Sequence, residues 1–120
     1  MKKEYFDLMF KLMQENRDIW LIFIDLGFPR VDEFIKAYPE RALTTGAAEQ
    51  TALDIAVGLA LEGKIPFVYT ITPFLLRGFE TIRNYINHEN LNVKMVGAGR
   101  DEDYSKDHGF SHDAKDIEGT

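Results

Sequence analysis

Apolar residues recur along this chain with two different spacings, and the changes of spacing predict four helices that alternate with four strands. Helical spacing predicts helices from Tyr5 to about Asn16, from Val31 to Tyr38, from Glu49 to the residue before Gly63, and from Pro73 to about Asn87. Runs of β-branched, aromatic and other apolar residues predict strands at Ile19–Ile24, Arg41–Thr44, Ile65–Ile71 and Val93–Gly97. The expected fold class is therefore α/β, with a mainly parallel sheet flanked by helices. Residues 98–120 have no regular spacing and are expected to be largely loop.

The third predicted helix combines an acidic start with a small, apolar face. Gly46 ends a short extended piece, Glu49 stands in the first helical turn, and Gly63 is expected to stop the helix. Small side chains at helical spacing would let this helix lie close to another backbone. They are Ala52, Ala56 and Ala60, helped by Gly58, while Leu53, Val57 and Leu61 are expected to widen the apolar face.

Length, composition and charge exclude several classes of protein. At 120 residues with 45% hydrophobic residues, the chain is long enough for one packed domain, or for part of one. The net charge of −6 and the lack of a basic cluster argue against nucleic-acid binding. No cysteine is present, which excludes disulfides and thiolate metal sites. The N-terminus lacks the apolar core of a signal peptide, and no apolar run is long enough to span a membrane, so a soluble cytoplasmic protein is expected.

Glu49 has two interpretations on pattern alone. Acidic residues are favoured in first helical turns because they complement the helix macrodipole. Alternatively, the carboxylate bonds a ring nitrogen of a bound heterocycle, for which the small residues around it would leave room. Spacing does not decide between these interpretations.

Two histidines in the last part of the chain are also candidates. His108 and His112 flank Gly109 in an irregular segment, where they are either solvent-facing or serve as proton donors and substrate ligands. The neighbouring acids Asp107 and Asp113 are not diagnostic of a metal site, and metal ligation is the less favoured interpretation.

The remaining candidates lie at strand ends and on the fourth helix. Asp25 follows the first strand, where a parallel sheet presents groups to a ligand. On pattern alone, Phe74 and Phe79 are expected in the core rather than against a ligand. The pattern fits Arg77 and Arg83 equally well as site residues and as exposed helix residues.

Six segments of the chain taken together carry a family resemblance. They are Thr45–Gln50, Gly58–Phe67, Phe74–Arg77, Ile82–Asn84, Asn92–Gly97 and Gly109–His112. In this order and at nearly this spacing, they resemble the pyrimidine-binding domain of the transketolase family, which includes deoxyxylulose-phosphate synthase and small C-terminal transketolase subunits. The resemblance covers most of the chain from Asp25 onward, and implies the thiamine diphosphate-binding fold of the pyrimidine type.

The resemblance implies roles for particular residues toward thiamine diphosphate. Glu49 stands at the position of the glutamate that bonds the aminopyrimidine ring and thereby favours loss of the thiazolium C2 proton. Phe74 matches the aromatic residue that packs on this ring, and Arg77 matches an arginine of the deoxyxylulose-phosphate synthase pattern. Asp25 is expected near the cofactor. His112 matches a loop histidine that contacts substrate, and is expected to take part in catalysis with Glu49.

This chain differs from the family pattern in three respects that concern the site and the partner. Ile71 replaces an aromatic residue that many relatives have, and His108 stands where a loop aspartate helps to select the sugar hydroxyl, so His108 is a substrate-binding candidate. The glycine-aspartate-glycine run that holds magnesium and the diphosphate is absent. We therefore expect a partner to hold Mg²⁺, and no metal site here. Relatives continue into a further strand and helix, so the domain spanning 1–120 is expected to be incomplete at one sheet edge.

The expected function follows from the resemblance. The chain would be a pyrimidine-binding subunit or fragment of a transketolase-like enzyme of carbohydrate metabolism, which transfers two-carbon ketol units between sugars. It would be active only in an oligomer with a diphosphate-binding N-terminal subunit. One alternative is a non-catalytic truncated module that serves assembly or regulation. A decarboxylase-type subunit is disfavoured, because its motifs around the glutamate differ from Gly46–Gln50.

Overall fold

The computed structural model describes residues 2–25 and 29–99. Within these ranges the helices are α1 (Lys2–Glu15), α2 (Pro29–Ala37) and α3 (Glu49–Leu61), and the strands are β1 (Ile19–Phe23), β2 (Ala42–Thr44), β3 (Ile65–Ile71) and β4 (Lys94–Ala98). Between β3 and β4 lies the 72–88 segment, which is a 3₁₀-helix at Thr72–Gly78, an α-helical turn at Phe79–Thr81 and a π-helix at Ile82–His88.

The four strands form one parallel sheet in the order β2-β1-β3-β4. β1 lies in the interior, where Leu21 is in register with Ala42 of β2 and Phe67 of β3. β2 and β4 are the edges of the described sheet. Since all strands run the same way, their carboxyl ends meet along one edge of the sheet. This arrangement confirms the predicted α/β fold class.

A hydrophobic core covers each face of the sheet, which explains why β1 is apolar on both sides. Leu21 and Phe23 point to the face that α1 and α2 cover, and Ile22 and Ile24 point to the face that α3 covers. The first core is rich in aromatic rings and the second is mainly aliphatic. The fully buried side chains of the two cores include Phe6, Met9, Met13, Phe34, Ala52, Leu53, Ala56 and Val68.

The fourth predicted helix differs most from its prediction. The 72–78 part is a 3₁₀-helix, whose three residues per turn shift later side chains off the face that a 3.6-residue period predicts. Phe79 is consequently 51% exposed rather than in the core, which corrects the prediction for this residue. Phe74 is half-buried, and Arg77 and Arg83 are exposed.

The apolar face of α3 is confirmed in part. Ala52, Ala56, Leu53 and Val57 are buried. Leu61, the last residue of α3, is 67% exposed, so its prediction was wrong. The predicted close approach at Gly58 is also not found: a Cβ atom there would meet no described atom within 4 Å. The predicted stop at Gly63 is confirmed, with a φ of +79°.

Arg41, the residue directly before β2, binds the C-terminal end of α1. Its guanidinium donates hydrogen bonds to the backbone carbonyls of Met13 (2.9 Å), Asn16 (3.1 Å) and Ile19 (3.0 Å). The same group lies 5.0 Å from the ring centre of Tyr38. A cation at these carbonyls complements the negative end of the helix, so Arg41 fixes the passage from α1 into β1.

Tyr5 lies in the aromatic core with its ring stacked 5.5 Å from that of Tyr69. Its hydroxyl is buried and has no hydrogen-bond partner within the described ranges. Burial, and to a lesser degree the neighbouring Tyr69 phenol, raise the pKa of Tyr5. Burial of this hydroxyl without a hydrogen-bond partner in the described ranges lowers the stability of the fold.

No helix in the ranges 2–25 and 29–99 has the length and apolar character needed to cross a membrane.

Candidate functional site

The candidate site lies where the carboxyl ends of the strands meet. The backbone N–H of Asp25 donates to the carbonyl of Gly46 (3.1 Å), and that of Thr45 donates to the carbonyl of Phe23 (3.1 Å). These bonds tie the loop before α3 to the end of β1. The loop turns through Gly46 at a φ of +60°, a conformation that glycine adopts without steric cost. The chain thus enters α3 at the edge of the sheet where parallel α/β folds bind ligands.

Thr72 ties the start of the 72–88 segment to the end of β4. Its hydroxyl lies 3.1 Å from the carbonyl oxygen of Ala98 and 2.9 Å from that of Gly99. Gly97 makes room for this contact, because a Cβ atom there would lie 2.5 Å from the Thr72 hydroxyl oxygen and 3.1 Å from its Cα. The 3₁₀-helix therefore starts from a fixed point at the same edge.

Glu49 is the first residue of α3 and is only 5% exposed. Ala48, the residue before it, provides no side-chain cap. Within residues 2–25 and 29–99, the cation paired with it is Arg77, whose guanidinium nitrogen lies 3.6 Å from the Glu49 carboxylate. The Arg77 side chain is itself 65% exposed, so a buried carboxylate is paired with a surface cation.

Phe74 completes this group. The Arg77 guanidinium lies 5.6 Å from the centre of the Phe74 ring, within the range of a cation–π contact. An acid, an aromatic ring and a cation, which come from α3 and the 3₁₀-helix, thus lie together at the carboxyl edge. Glu49, Phe74 and Arg77 were all predicted from the sequence as site candidates. Asp25 lies at the same edge and is exposed, with a φ of +42°.

The role expected for Glu49 requires that a ligand ring reaches its carboxylate. In this chain the carboxylate is buried, and the Arg77 guanidinium lies 3.6 Å from it. A carboxylate and an adjacent aromatic ring are suitable in kind for a flat heterocycle with a polar nitrogen.

Sequence analysis missed three residues that join α3 to the 72–88 segment: Gln50, Asp54 and Thr81. Gln50 and Asp54 stand four apart on α3 and are hydrogen-bonded at 2.8 Å, and this spacing was visible in the sequence. Thr81, which is 4% exposed, donates to Asp54 at 2.9 Å. No pattern in the sequence indicated that contact.

Two predicted site residues, His108 and His112, lie outside the described residues, and their roles stay predictions. In the part of the chain that the structure describes, no three acidic or histidine side chains are grouped to hold a metal ion.

Comparison with known proteins agrees with this geometry. Residues 1–111 match the family described as the transketolase pyrimidine binding domain. A relative from Methanocaldococcus jannaschii, whose name assigns it to the C-terminal section of a transketolase, is 36% identical over 98 residues, which is 80% of this chain and 31% of the relative. A 6-deoxy-6-sulfo-D-fructose transketolase subunit from Clostridium sp. (strain MSTE9) is 34% identical over 100 residues, which is 82% of this chain and 31% of that subunit.

A solved structure shares the fold as well. It is a split-gene transketolase in an inactive β4 tetramer, 40% identical, with a TM-score of 0.72 over 80% of this chain and 33% of that one. This chain therefore spans about a third of the length of each of these three proteins. It belongs to the transketolase pyrimidine-binding domain family.

Proposed function

We propose that this chain supplies the pyrimidine-binding half of a thiamine diphosphate-dependent transketolase-like transferase. The reaction is transfer of a two-carbon ketol unit between sugars. The observation that carries the proposal is the placement of Glu49 beside Phe74 and Arg77 at the carboxyl edge of the sheet. Family membership implies the cofactor, and the residues found at this edge are of the kind that its aminopyrimidine ring needs.

Thiamine diphosphate, when bound, supplies the carbon nucleophile that carries the two-carbon unit. Glu49 would hold a ring nitrogen through its carboxylate and stabilise the protonated form of that nitrogen. Phe74 would pack on the ring face. Arg77 would leave the carboxylate and bind at the ring edge, and Asp25 would lie near the cofactor at the end of β1. His108 and His112 would contact the sugar.

The active form would contain a second chain with the diphosphate-binding half. That partner would hold Mg²⁺ and the diphosphate, for which the glycine-aspartate-glycine run is missing here. Two observations support a partner. The relatives include a named subunit and a split-gene enzyme. In addition, Leu76, Phe79, Tyr85 and Met95 are exposed apolar side chains, and Phe79 and Met95 line a groove of about 320 Å³.

The test mixes this chain with the diphosphate-binding subunit of the same organism, thiamine diphosphate and Mg²⁺. The rate at which deuterium replaces the C2 hydrogen of the bound cofactor is followed by NMR, because this rate needs no knowledge of the sugar. Glu49→Gln keeps the size of the side chain and removes its charge. We expect the exchange rate to fall about 100-fold or more, the usual range for losing an acid–base group.

Glu62→Gln is the matched control, since Glu62 is an exposed acid at the opposite end of α3. It should exchange within about twofold of the wild-type rate. If Glu49→Gln exchanges as fast as Glu62→Gln, Glu49 has no part in the chemistry. If the mixture does not bind thiamine diphosphate in calorimetry, the chain is a non-catalytic module that serves assembly or regulation.

A further inference from the structure

A closed ring of hydrogen bonds joins the first turns of α3 to the middle of the 72–88 segment. The side-chain amide nitrogen of Gln50 donates to Asp54 Oδ1 (2.8 Å) and to Thr81 Oγ1. Thr81 Oγ1 in turn donates to Asp54 Oδ1 (2.9 Å). Gln50 has two amide protons and threonine has one, so each of these three protons has an acceptor within the ring.

A steric contact holds the same joint a few residues away. Gly78 lies so close to α3 that a Cβ atom on it would stand 2.1 Å from Leu53 Cδ1 and 3.7 Å from Gln50 Oε1. Leu53 is fully buried. The joint between α3 and the 72–88 segment is therefore fixed both by polar contacts and by packing.

The joint between α3 and the 72–88 segment lies close in sequence to Glu49, Phe74 and Arg77 of the candidate site. Gln50 follows Glu49 directly, and the 3₁₀-helix that carries Phe74 and Arg77 ends only three residues before Thr81. The N-terminus of α3 has no side-chain cap, so no cap limits the movement of its first turn. The ring of hydrogen bonds is a lateral constraint that can take the place of a cap.

We propose that Gln50, Asp54 and Thr81 are positioning residues, which hold Glu49 at a fixed distance and angle from Phe74 and Arg77. This inference rests on the proposed function, because it concerns the same site. The three residues act through Glu49 and need not touch the cofactor themselves. Their loss would let the first turn of α3 shift relative to the aromatic ring. Misplacement by about 1 Å is enough to slow a positioned reaction by up to about 100-fold.

The first test uses the chain alone. Thr81→Val keeps the shape and removes the hydroxyl, Thr81→Ser keeps the hydroxyl, and Thr51→Val makes the same change at an exposed position of α3. The reporter is the amide of Ala52, whose N–H closes the first turn by donating to the carbonyl of Ala48 (3.0 Å). We expect Thr81→Val to speed its hydrogen exchange about fivefold or more, roughly the effect of one lost hydrogen bond.

Loss of the hydroxyl also lowers overall stability, so exchange of the amide of Ile22 in β1 is expected to speed up too, and Ile22 reports that general loss. Thr81→Ser should restore the wild-type rate at Ala52 within about twofold, and Thr51→Val should leave it within about twofold. Unchanged exchange at Ala52 in Thr81→Val would overturn the proposal. A purely structural role is separated from positioning by the cofactor chemistry of the complex. If Thr81→Val does not fold, Gln50→Met at an exposed site makes the same test.

The second test uses the complex with the diphosphate-binding subunit. Thr81→Val should lower the C2 exchange rate of bound thiamine diphosphate about tenfold, while calorimetry gives a cofactor dissociation constant within about threefold of wild type. Thr81→Ser should rescue the rate. A normal C2 rate in Thr81→Val overturns the positioning role. A wild-type complex that fails to bind the cofactor refutes the proposed function instead, and the exchange data from the free chain still decide whether the joint holds α3.

Discussion

The contact between Gly78 and Leu53 makes a stability prediction that can be worked out from distances. Gly78→Ala would place a methyl carbon 2.1 Å from Leu53 Cδ1 and 3.4 Å from its Cγ. The backbone of Gly78 has φ −107° and ψ 25°, which alanine also adopts. The cost of the substitution is therefore steric, and it falls on a leucine that is buried and cannot turn away freely.

Two terms set the magnitude. Overpacking of a core costs about 1 to 3 kcal/mol. Replacing glycine by alanine at a compatible backbone position recovers about 0.5 to 1 kcal/mol through the unfolded state. Together these two ranges give a net change in the free energy of unfolding that lies between no loss and a loss of about 2.5 kcal/mol. At a urea m-value of about 1.5 kcal/mol/M, the unfolding midpoint falls by at most roughly 1.7 M.

The assay is urea unfolding of the free chain, followed by circular dichroism. Gly58→Ala is the matched control, because no described atom lies within 4 Å of its new Cβ, and it should gain about 0.5 to 1 kcal/mol as a helix-interior glycine. Leu53→Val removes the colliding δ-carbon, so Gly78→Ala should become neutral or favourable in that background. If Gly78→Ala stabilises the wild-type chain as much as Gly58→Ala does, or is equally costly in the Leu53→Val background, the close contact does not exist in solution.

Three further predictions concern other parts of the fold. Tyr5→Phe should raise the free energy of unfolding by about 1 kcal/mol, because the hydroxyl is buried without a partner in the described ranges. Folding raises the pKa of Tyr5, so the wild type keeps its full stability below the unfolded pKa of about 10 and loses some as pH rises beyond it. Tyr5→Phe should lack this contribution of Tyr5 to the loss of stability. Tyr85→Phe is the exposed control in the same urea titrations. Arg41→Lys should cost about 1.5 to 3 kcal/mol in thermal or urea unfolding, because lysine cannot reach three carbonyls at once, whereas exposed Arg83→Lys should cost almost nothing. Arg83→Ala should raise the pKa of Glu80, which the Arg83 guanidinium lowers. The pair's contribution to stability is present above the unfolded pKa of Glu80 and is lost as pH falls through its folded pKa. An unchanged Glu80 pKa in an NMR titration would contradict the contact.

Helices and strands were predicted well in segments where a single spacing of apolar residues dominates. β3 was predicted at its observed limits, and the other strands and α3 were placed within a residue or two. In these elements local preference, hydrophobic period and burial all point to the same structure. In the 72–88 segment a helix was predicted at nearly the observed limits, but its type and the burial of Phe79 were not, since a 3₁₀-helix and a π-helix do not follow the 3.6-residue period on which the pattern relies.

The candidate site was predictable only in part. Resemblance to the family selected Glu49, Phe74 and Arg77, and the structure brings them together at one edge. Their mutual arrangement was not predictable, because it depends on contacts between residues about 30 positions apart. The pairing of Thr81 with Gln50 is one such contact, and the fit of Gly78 against Leu53 is another.

The ion pair between Glu49 and Arg77 bears on which ligands this edge can accept. A carboxylate that is 5% exposed has lost most of its water, and the Arg77 cation compensates for that loss. A ligand that displaces Arg77 must provide a hydrogen-bond donor of its own, or the carboxylate is left buried and unsatisfied at a cost of about 1 to 3 kcal/mol or more. A heterocycle with a protonated ring nitrogen meets this condition, whereas an apolar ring of the same size does not. Under the proposed function, selection at Glu49 would therefore follow from the cost of leaving its charge unpaired.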